Sequence, residues 1–237
     1  YKMWGDVSFQ EAGSVTVAVT ASGDDWTVTK EVTYEVRKAE AATAKNVILI
    51  VGDGMALPMR TAARIVSRGL TEGKYNDLLE MDQMDEMTLV TTSGLNSLVT
   101  DSANSASAYA TGQKTSNNAM GVYTFDPNDK EQVAPKVENI VELAKEKGMA
   151  TGLVTTAEIV DATPAAMFSH VPSRYSYQEI VDQMLENESQ RADVIMGGGA
   201  RWFWPQSTTG SKRDDDTDAI QGFEDLGYTF AGDASEL

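Results

Sequence analysis

The sequence predicts an α/β fold with a largely parallel sheet flanked by helices, preceded by a short amino-terminal β segment. Three features carry that reading. Asn46-Val47-Ile48-Leu49-Ile50-Val51 is an unbroken apolar run ending in Gly52-Asp53-Gly54, as expected of a strand covered on both faces. Strand-like and helix-like stretches then alternate, the order that builds a sheet wrapped by helices. Before residue 38 the apolar period is two, which belongs to half-buried antiparallel strands.

Taken in order, Ser14 to Thr20 alternates apolar and polar side chains, Ser22-Gly23-Asp24-Asp25 marks a turn, and Val28, Val32, Tyr34 and Val36 continue the alternation. Two strands bury too little surface to stand alone. Residues 1–38 therefore read as the last strands of a partial β-sandwich, similar to bacterial extracellular immunoglobulin-like modules, or as a hairpin packed on the next domain. Residues 39–45, small and charged, read as a linker, and 46–237 as the α/β domain. Within it the sequence predicts strands at 46–51, 88–92, 151–155 and 193–196. Helices are predicted at 59–67, from Ser102 onward, at 137–147 ending at Gly148, and at 177–185. Gly197-Gly198-Gly199 is a tight strand exit, Asp214-Asp215-Asp216 a solvated insertion, and Trp202-Phe203-Trp204 packing or a surface lid. Ligands of such sheets bind at the carboxyl ends of the strands.

Composition narrows the chemistry. The 237 residues hold 19 basic and 36 acidic side chains, a formal net charge of −17, with no cysteine and a single histidine, His170. Disulfide scaffolds, zinc ribbons and cysteine nucleophiles are excluded, and a site of several histidines cannot come from this chain alone. The negative balance argues against nucleic acid or an anionic membrane as partner. No apolar run reaches the roughly 20 residues of a membrane-spanning helix. No secretory leader is visible, so the mature chain or a boundary is expected at Tyr1.

Four places could carry chemistry. Asp53 follows the first apolar run between two glycines, where a carboxylate can meet Mg²⁺ or Zn²⁺ or simply cap the next helix. Asp101 and Ser102 open a helix of very small residues; Ser102 there is either an anion-stabilised hydroxyl or, like Asp101, an N-cap. In Asp161-Ala162-Thr163-Pro164, Thr163 reads as an N-cap with Pro164 as the first helical residue, or the Thr and Asp form part of a Mg²⁺ shell. Arg174 offers a planar fork for phosphate oxygens or is a surface residue, and His170 reads as a structural hydrogen-bonding residue.

Taken together, Gly52-Asp53-Gly54-Met55, Thr100-Asp101-Ser102-Ala103, Ala110-Thr111-Gly112, Asp161 to Ala166, His170-Val171 with Ser173-Arg174, and Asp193-Val194 with Gly197 to Ala200 closely resemble the amino-terminal half of bacterial alkaline phosphatases. The resemblance runs from about Asn46 to Tyr228. It implies an alkaline-phosphatase-like fold and hydrolysis of phosphate monoesters through a phosphoserine, with two Zn²⁺ and one Mg²⁺. By that likeness Asp53 bridges a zinc and the magnesium, Ser102 is the nucleophile and a zinc ligand, and Arg174 binds phosphate. Asp101 orients Arg174, Thr163 ligates magnesium, and Asp161 holds magnesium-bound water. A periplasmic or secreted enzyme, with a possible homodimer, is also implied. The family's downstream ligands, a Glu and Asp-and-His clusters, have no counterpart in these residues, so a segment of a longer protein is expected, inactive by itself. Sister phosphodiesterases or sulfatases, and an inactive interaction module, are the competing readings.

Overall fold

The computed structural model describes residues 9, 11–36, 44–124 and 134–237. The chain divides into two compact units, Tyr1–Ile50 and Val51–Leu237.

In the first unit, β1 (Gly13–Gly23) and β2 (Trp26–Val36) form an antiparallel hairpin in register from Gly13 opposite Val36 to Gly23 opposite Trp26. Asp24 and Asp25 make the two-residue connection. One face carries Val15, Val17, Val19, Val28, Val32 and Tyr34; the other is threonine-rich, with Thr16–Thr33 and Thr20–Thr29 hydroxyl pairs at 2.9 Å. The apolar face is half-buried at best, as expected of two strands alone. Residues 1–8, 10 and 37–38 of the anticipated sandwich segment, and 39–43 of the anticipated linker, lie outside the described residues.

Two predicted strands are not formed. Residues 46–50 have no ladder partner among the described residues, and Ile48 is 88% exposed. Residues 88–92 likewise form no strand, and Leu89 is exposed. An apolar run encodes a demand for burial, but a strand also needs partners for its N–H and C=O groups. The parallel sheet among the described residues is therefore one pair, β5 (Gly152–Glu158) beside β6 (Val194–Gly198), with Leu153 opposite Ile195.

The second unit begins with α1 (Leu57–Arg68), started by Pro58 and ended at Gly69. The short strands β3 (Leu70–Thr71) and β4 (Lys74–Tyr75) form a minimal hairpin after it. Helix α2 (Ser102–Thr111) then packs against α4 (Ala162–Ala165). Ala103, Ala106 and Ala110 on one and Ala162, Ala165 and Ala166 at the other are buried, and such small side chains let the two backbones approach closely. Helix α3 runs Ile140–Glu146, shorter than predicted. Asn139 caps it, accepting from Val141 N and Glu142 N, while Val137 donates its N–H to Gly121 O instead of entering the helix. Helix α5 (Tyr177–Glu186) buries Ile180, Val181 and Met184, and α6 (Ala219–Asp225) buries Phe223. Phe168, Met120, Ile180 and Met184 are the largest wholly enclosed apolar side chains.

Two polar ties hold this unit. His170 is buried, with Nδ1 2.6 Å from Gly121 O and Nε2 2.9 Å from Glu142 Oε1. Burial raises the Glu142 carboxyl, but His170 and the Asn139 N–H outweigh it and leave the group below its ordinary value. Arg213, its side chain 1% exposed, donates Nε to Asp215 Oδ1 at 2.7 Å and Nη2 to Asp182 Oδ1 at 2.8 Å. Asp214 and Asp216 are exposed as the solvated run predicts; Asp215, its side chain 41% exposed, is in addition paired with Arg213, which holds its carboxyl at about 2. A charge run in sequence does not reveal that one of its members faces a buried guanidinium.

Gly121 sits at φ 60°, where an added Cβ would run into Ser169 O and lie 2.8 Å from His170 Nδ1. Gly121→Ala is expected to cost about 2–4 kcal/mol by adding strain and overpacking together, read by urea denaturation; an unchanged midpoint would contradict the assignment.

Asp193 accepts from Lys145 Nζ and Thr151 N, each at 2.7 Å, joining α3, β5 and β6. Lys145, then the Thr151 N–H, lower its carboxyl to about 2. That lies below the unfolded value of about 3.9, so the stabilisation is full above that pH and is lost as pH falls toward 2. The side chain is 44% exposed and screened by solvent, so Asp193→Asn should cost only about 0.5–1 kcal/mol at pH 7. Denaturation across pH should show wild type and variant converging near pH 2; a constant gap would refute the linkage.

Candidate functional site

Three chain segments meet at the amino ends of α2 and α4. Asp101 caps α2: its Oδ1 accepts from Asn104 N at 3.0 Å, and Asn104 Oδ1 accepts from Asp101 N at 3.0 Å, a reciprocal pairing that fixes the first turn. Ser102 is the first helical residue, at the positive end of a ten-residue helix. Arg174 reaches this hydroxyl from the segment before α5, donating Nη1 to Ser102 Oγ at 2.8 Å. The same guanidinium donates Nη2 to Asp161 Oδ1 at 2.7 Å.

Asp161 caps α4, accepting from Ala162 N at 2.8 Å. Thr163, expected at the cap, is instead inside the helix, and Pro164 follows it. With Asp161 already supplying the oxygen, the Thr163 hydroxyl is free to turn elsewhere and donates to Asp53 Oδ2 at 2.8 Å. Asp53 itself does not cap α1, whose cap residue is Ala56. One turn of α4 therefore presents Asp161 to the Ser102–Arg174 pair and Thr163 to Asp53.

Asp101 does not pair with Arg174. Its Oδ2 accepts from Asn118 N at 2.7 Å, and Asn118 O accepts from Arg174 N at 2.6 Å, so Asp101 reaches the arginine's backbone through one residue. The carboxylate on the guanidinium is Asp161. Asn118, at φ 69°, was not singled out from sequence. The Asn117-Asn118 pair was its only signal, since Asn tolerates the left-handed region better than most residues.

Arg174 retains donor capacity. Its Nε is buried without a hydrogen-bond partner among the described residues, and each Nη has a second hydrogen. An anion with several oxygens fits a fork in that state. Nearby, burial pushes the Tyr177 phenol above its ordinary value, with the Asp161 charge adding and Arg174 opposing.

The oxygen pair of Asp53 and Thr163 suits a hard cation such as Mg²⁺, supplying part of its shell. Asp53 can contribute a carboxylate to zinc, but the set lacks the nitrogen or sulfur ligands that complete a zinc site. The one histidine is engaged by Gly121, Glu142 and Asn139, and no group of three or more His, Asp or Glu among the described residues could hold a metal.

The family profile described as alkaline phosphatase matches residues 44–237. The Escherichia coli K12 alkaline phosphatase is 38% identical over 215 residues, covering 81% of this chain and 43% of that protein. The cold-active alkaline phosphatase of a psychrophilic Shewanella superposes with a TM-score of 0.63 at 30% identity, over 78% of this chain and 41% of that one. A His-to-Asp variant of the TAB5 alkaline phosphatase, solved with Mg bound in its M3 site, gives a TM-score of 0.58 at 31% identity, over 73% of this chain and 44% of that one. The chain spans less than half the length of the curated relatives it matches.

Asp161→Ala should lose the α4 cap, about 1 kcal/mol. Asp161→Asn keeps an accepting oxygen and should cost less. Denaturation midpoints that rank the two the other way would contradict the capping role.

Proposed function

The chain belongs to the alkaline phosphatase family, and on that premise we propose that the whole protein hydrolyses phosphate monoesters through a phosphoserine at Ser102. The observation that carries this reading is the 2.8 Å hydrogen bond from Arg174 Nη1 to Ser102 Oγ, made between residues 72 apart in sequence. A guanidinium on a serine hydroxyl stabilises negative charge on that oxygen, and the amino end of α2 adds to it.

The dianionic phosphoryl group of a monoester takes its place on the remaining donors of Arg174. Ser102 Oγ then attacks phosphorus in line with the ester oxygen. The Ser102 hydroxyl gives up its proton as the Oγ–P bond forms and the P–O bond to the alcohol breaks, and the departing alkoxide takes up one proton, so the step balances. Water attacks the phosphoserine in the second step, returning the serine hydroxyl and releasing inorganic phosphate. Asp161 holds the far edge of Arg174, so that the fork stays aimed at Ser102 through both steps. A diester presents one charge fewer to this fork, which favours monoesters.

Asp53 and Thr163 are proposed as oxygen ligands of Mg²⁺, with Asp161 close enough in the chain to orient its water. Divalent metals, when bound, supply Lewis-acid stabilisation of negatively charged oxygen. The two Zn²⁺ ions of the family reading need nitrogen ligands beyond the described residues, apart from contributions by Asp53 and Ser102. A periplasmic or secreted site of action is part of the proposal, as is a homodimer. No described helix is long and apolar enough to cross a membrane.

The test uses the full-length protein with p-nitrophenyl phosphate at alkaline pH, beside a phosphodiester and a sulfate ester. Ser102→Ala is expected to lose turnover by roughly a thousandfold or more. Arg174→Ala should lower monoester kcat/KM by about a hundredfold, with a smaller effect on the diester. Full activity in Ser102→Ala would falsify the nucleophile. Equal losses on all esters in Arg174→Ala would remove the case for monoesters.

A further inference from the structure

An aromatic ladder runs outward from the phosphate fork. Tyr175, directly after Arg174, is 65% exposed, and the Arg174 Cζ lies 6.0 Å from its ring centroid. The Tyr175 and Tyr177 rings meet edge-on, 6.2 Å apart at 81°. Tyr177 in turn packs on Trp202, with centroids 4.6 Å apart. Trp202 is anchored from behind: its Nε1 donates to Glu158 Oε2 at 3.2 Å, and Arg201, which pairs with Glu158 at 2.8 Å, sits over its ring.

The two inner rings are half-buried and fixed, so they need no ligand. Tyr175 is different. It makes no side-chain hydrogen bond to the described residues, which also leave most of its large ring uncovered, beside the guanidinium proposed to bind phosphate. The ladder also lies at the sheet edge where ligands of parallel strands bind: Glu158 ends β5, and Trp202 follows the glycine exit of β6.

We propose that Tyr175, backed by Tyr177 and Trp202, is a stacking subsite for the planar ring of a nucleoside monophosphate whose phosphate lies on Arg174. This assignment rests on the monoesterase reading and specifies its substrate class. A base joined to phosphate through a ribose spans the gap from guanidinium to ring, whereas a short alkyl phosphate ends before the ring. Base stacking on an aromatic side chain is sequence-tolerant, so the subsite selects for a ring and not for a particular base.

The test compares AMP with glycerol 2-phosphate in the full-length protein. Loss of one stacking ring corresponds to about a tenfold effect. The ratio of kcat/KM for AMP to that for glycerol 2-phosphate should therefore fall about tenfold in Tyr175→Ala and stay within twofold in Tyr175→Phe. An unchanged ratio in Tyr175→Ala, or an equal fall in both variants, overturns the subsite. Calorimetric binding of AMP and ribose 5-phosphate separates this proposal from the parent reading. Should neither ester be hydrolysed, the monoesterase reading fails. The subsite then survives only if AMP binds more tightly than ribose 5-phosphate and Tyr175→Ala removes the difference; equal binding, or none, overturns it.

Discussion

The guanidinium of Arg174 ties together the amino ends of two helices. One nitrogen reaches Ser102 on α2 and the other reaches Asp161 on α4, at 2.8 and 2.7 Å. Its backbone N–H is fixed as well, by the carbonyl of Asn118, whose own N–H is held by Asp101. A planar fork satisfies such a geometry where a lysine ammonium, a single point of charge, would not. The cation at this junction also compensates the Asp161 carboxylate beside it, in a chain whose net charge is −17.

That arrangement depends on how closely α2 and α4 approach. Alanines line both sides of the contact, and larger side chains would push the two amino ends apart. The ends are then locked by carboxylate caps that serve twice: Asp101 toward Asn104 and Asn118, Asp161 toward Ala162 and Arg174. Behind them, the buried His170–Glu142 pair and Gly121 join α3 to the segment that carries Asn118. Stability and site geometry share the same few polar contacts, so a change made for one is felt in the other.

Much of this was legible in the sequence where the signal is local. The hairpin alternation, the small-residue helix after Asp101, the helix at 177–186 and the parallel strands before Glu158 and Gly198 all follow from period and caps. The runs at 46–50 and 88–92 have the apolarity of strands but form none among the described residues, because apolarity does not name a ladder partner. Thr163 and Asp161 are both good capping residues two positions apart, and only the fold decides that the aspartate caps while the threonine turns to Asp53. Asp161 rather than Asp101 on Arg174, and Asp215 on a buried Arg213, are tertiary pairings with no periodic trace. The motif series is a stronger guide to the site than any one residue, because it groups Ser102, Asp161, Thr163, Arg174 and Asp53, whose side chains meet as Ser102–Arg174–Asp161 and Thr163–Asp53.

The central claim is that Ser102, held by Arg174, becomes the phosphorylated group. The most direct measurement is peptide mass spectrometry of the full-length protein quenched in acid during turnover of a phosphate monoester. The account predicts a phosphate on the peptide containing Ser102, and on that serine within it. Turnover without any phosphorylated Ser102 peptide, or with phosphate on another residue, would contradict it.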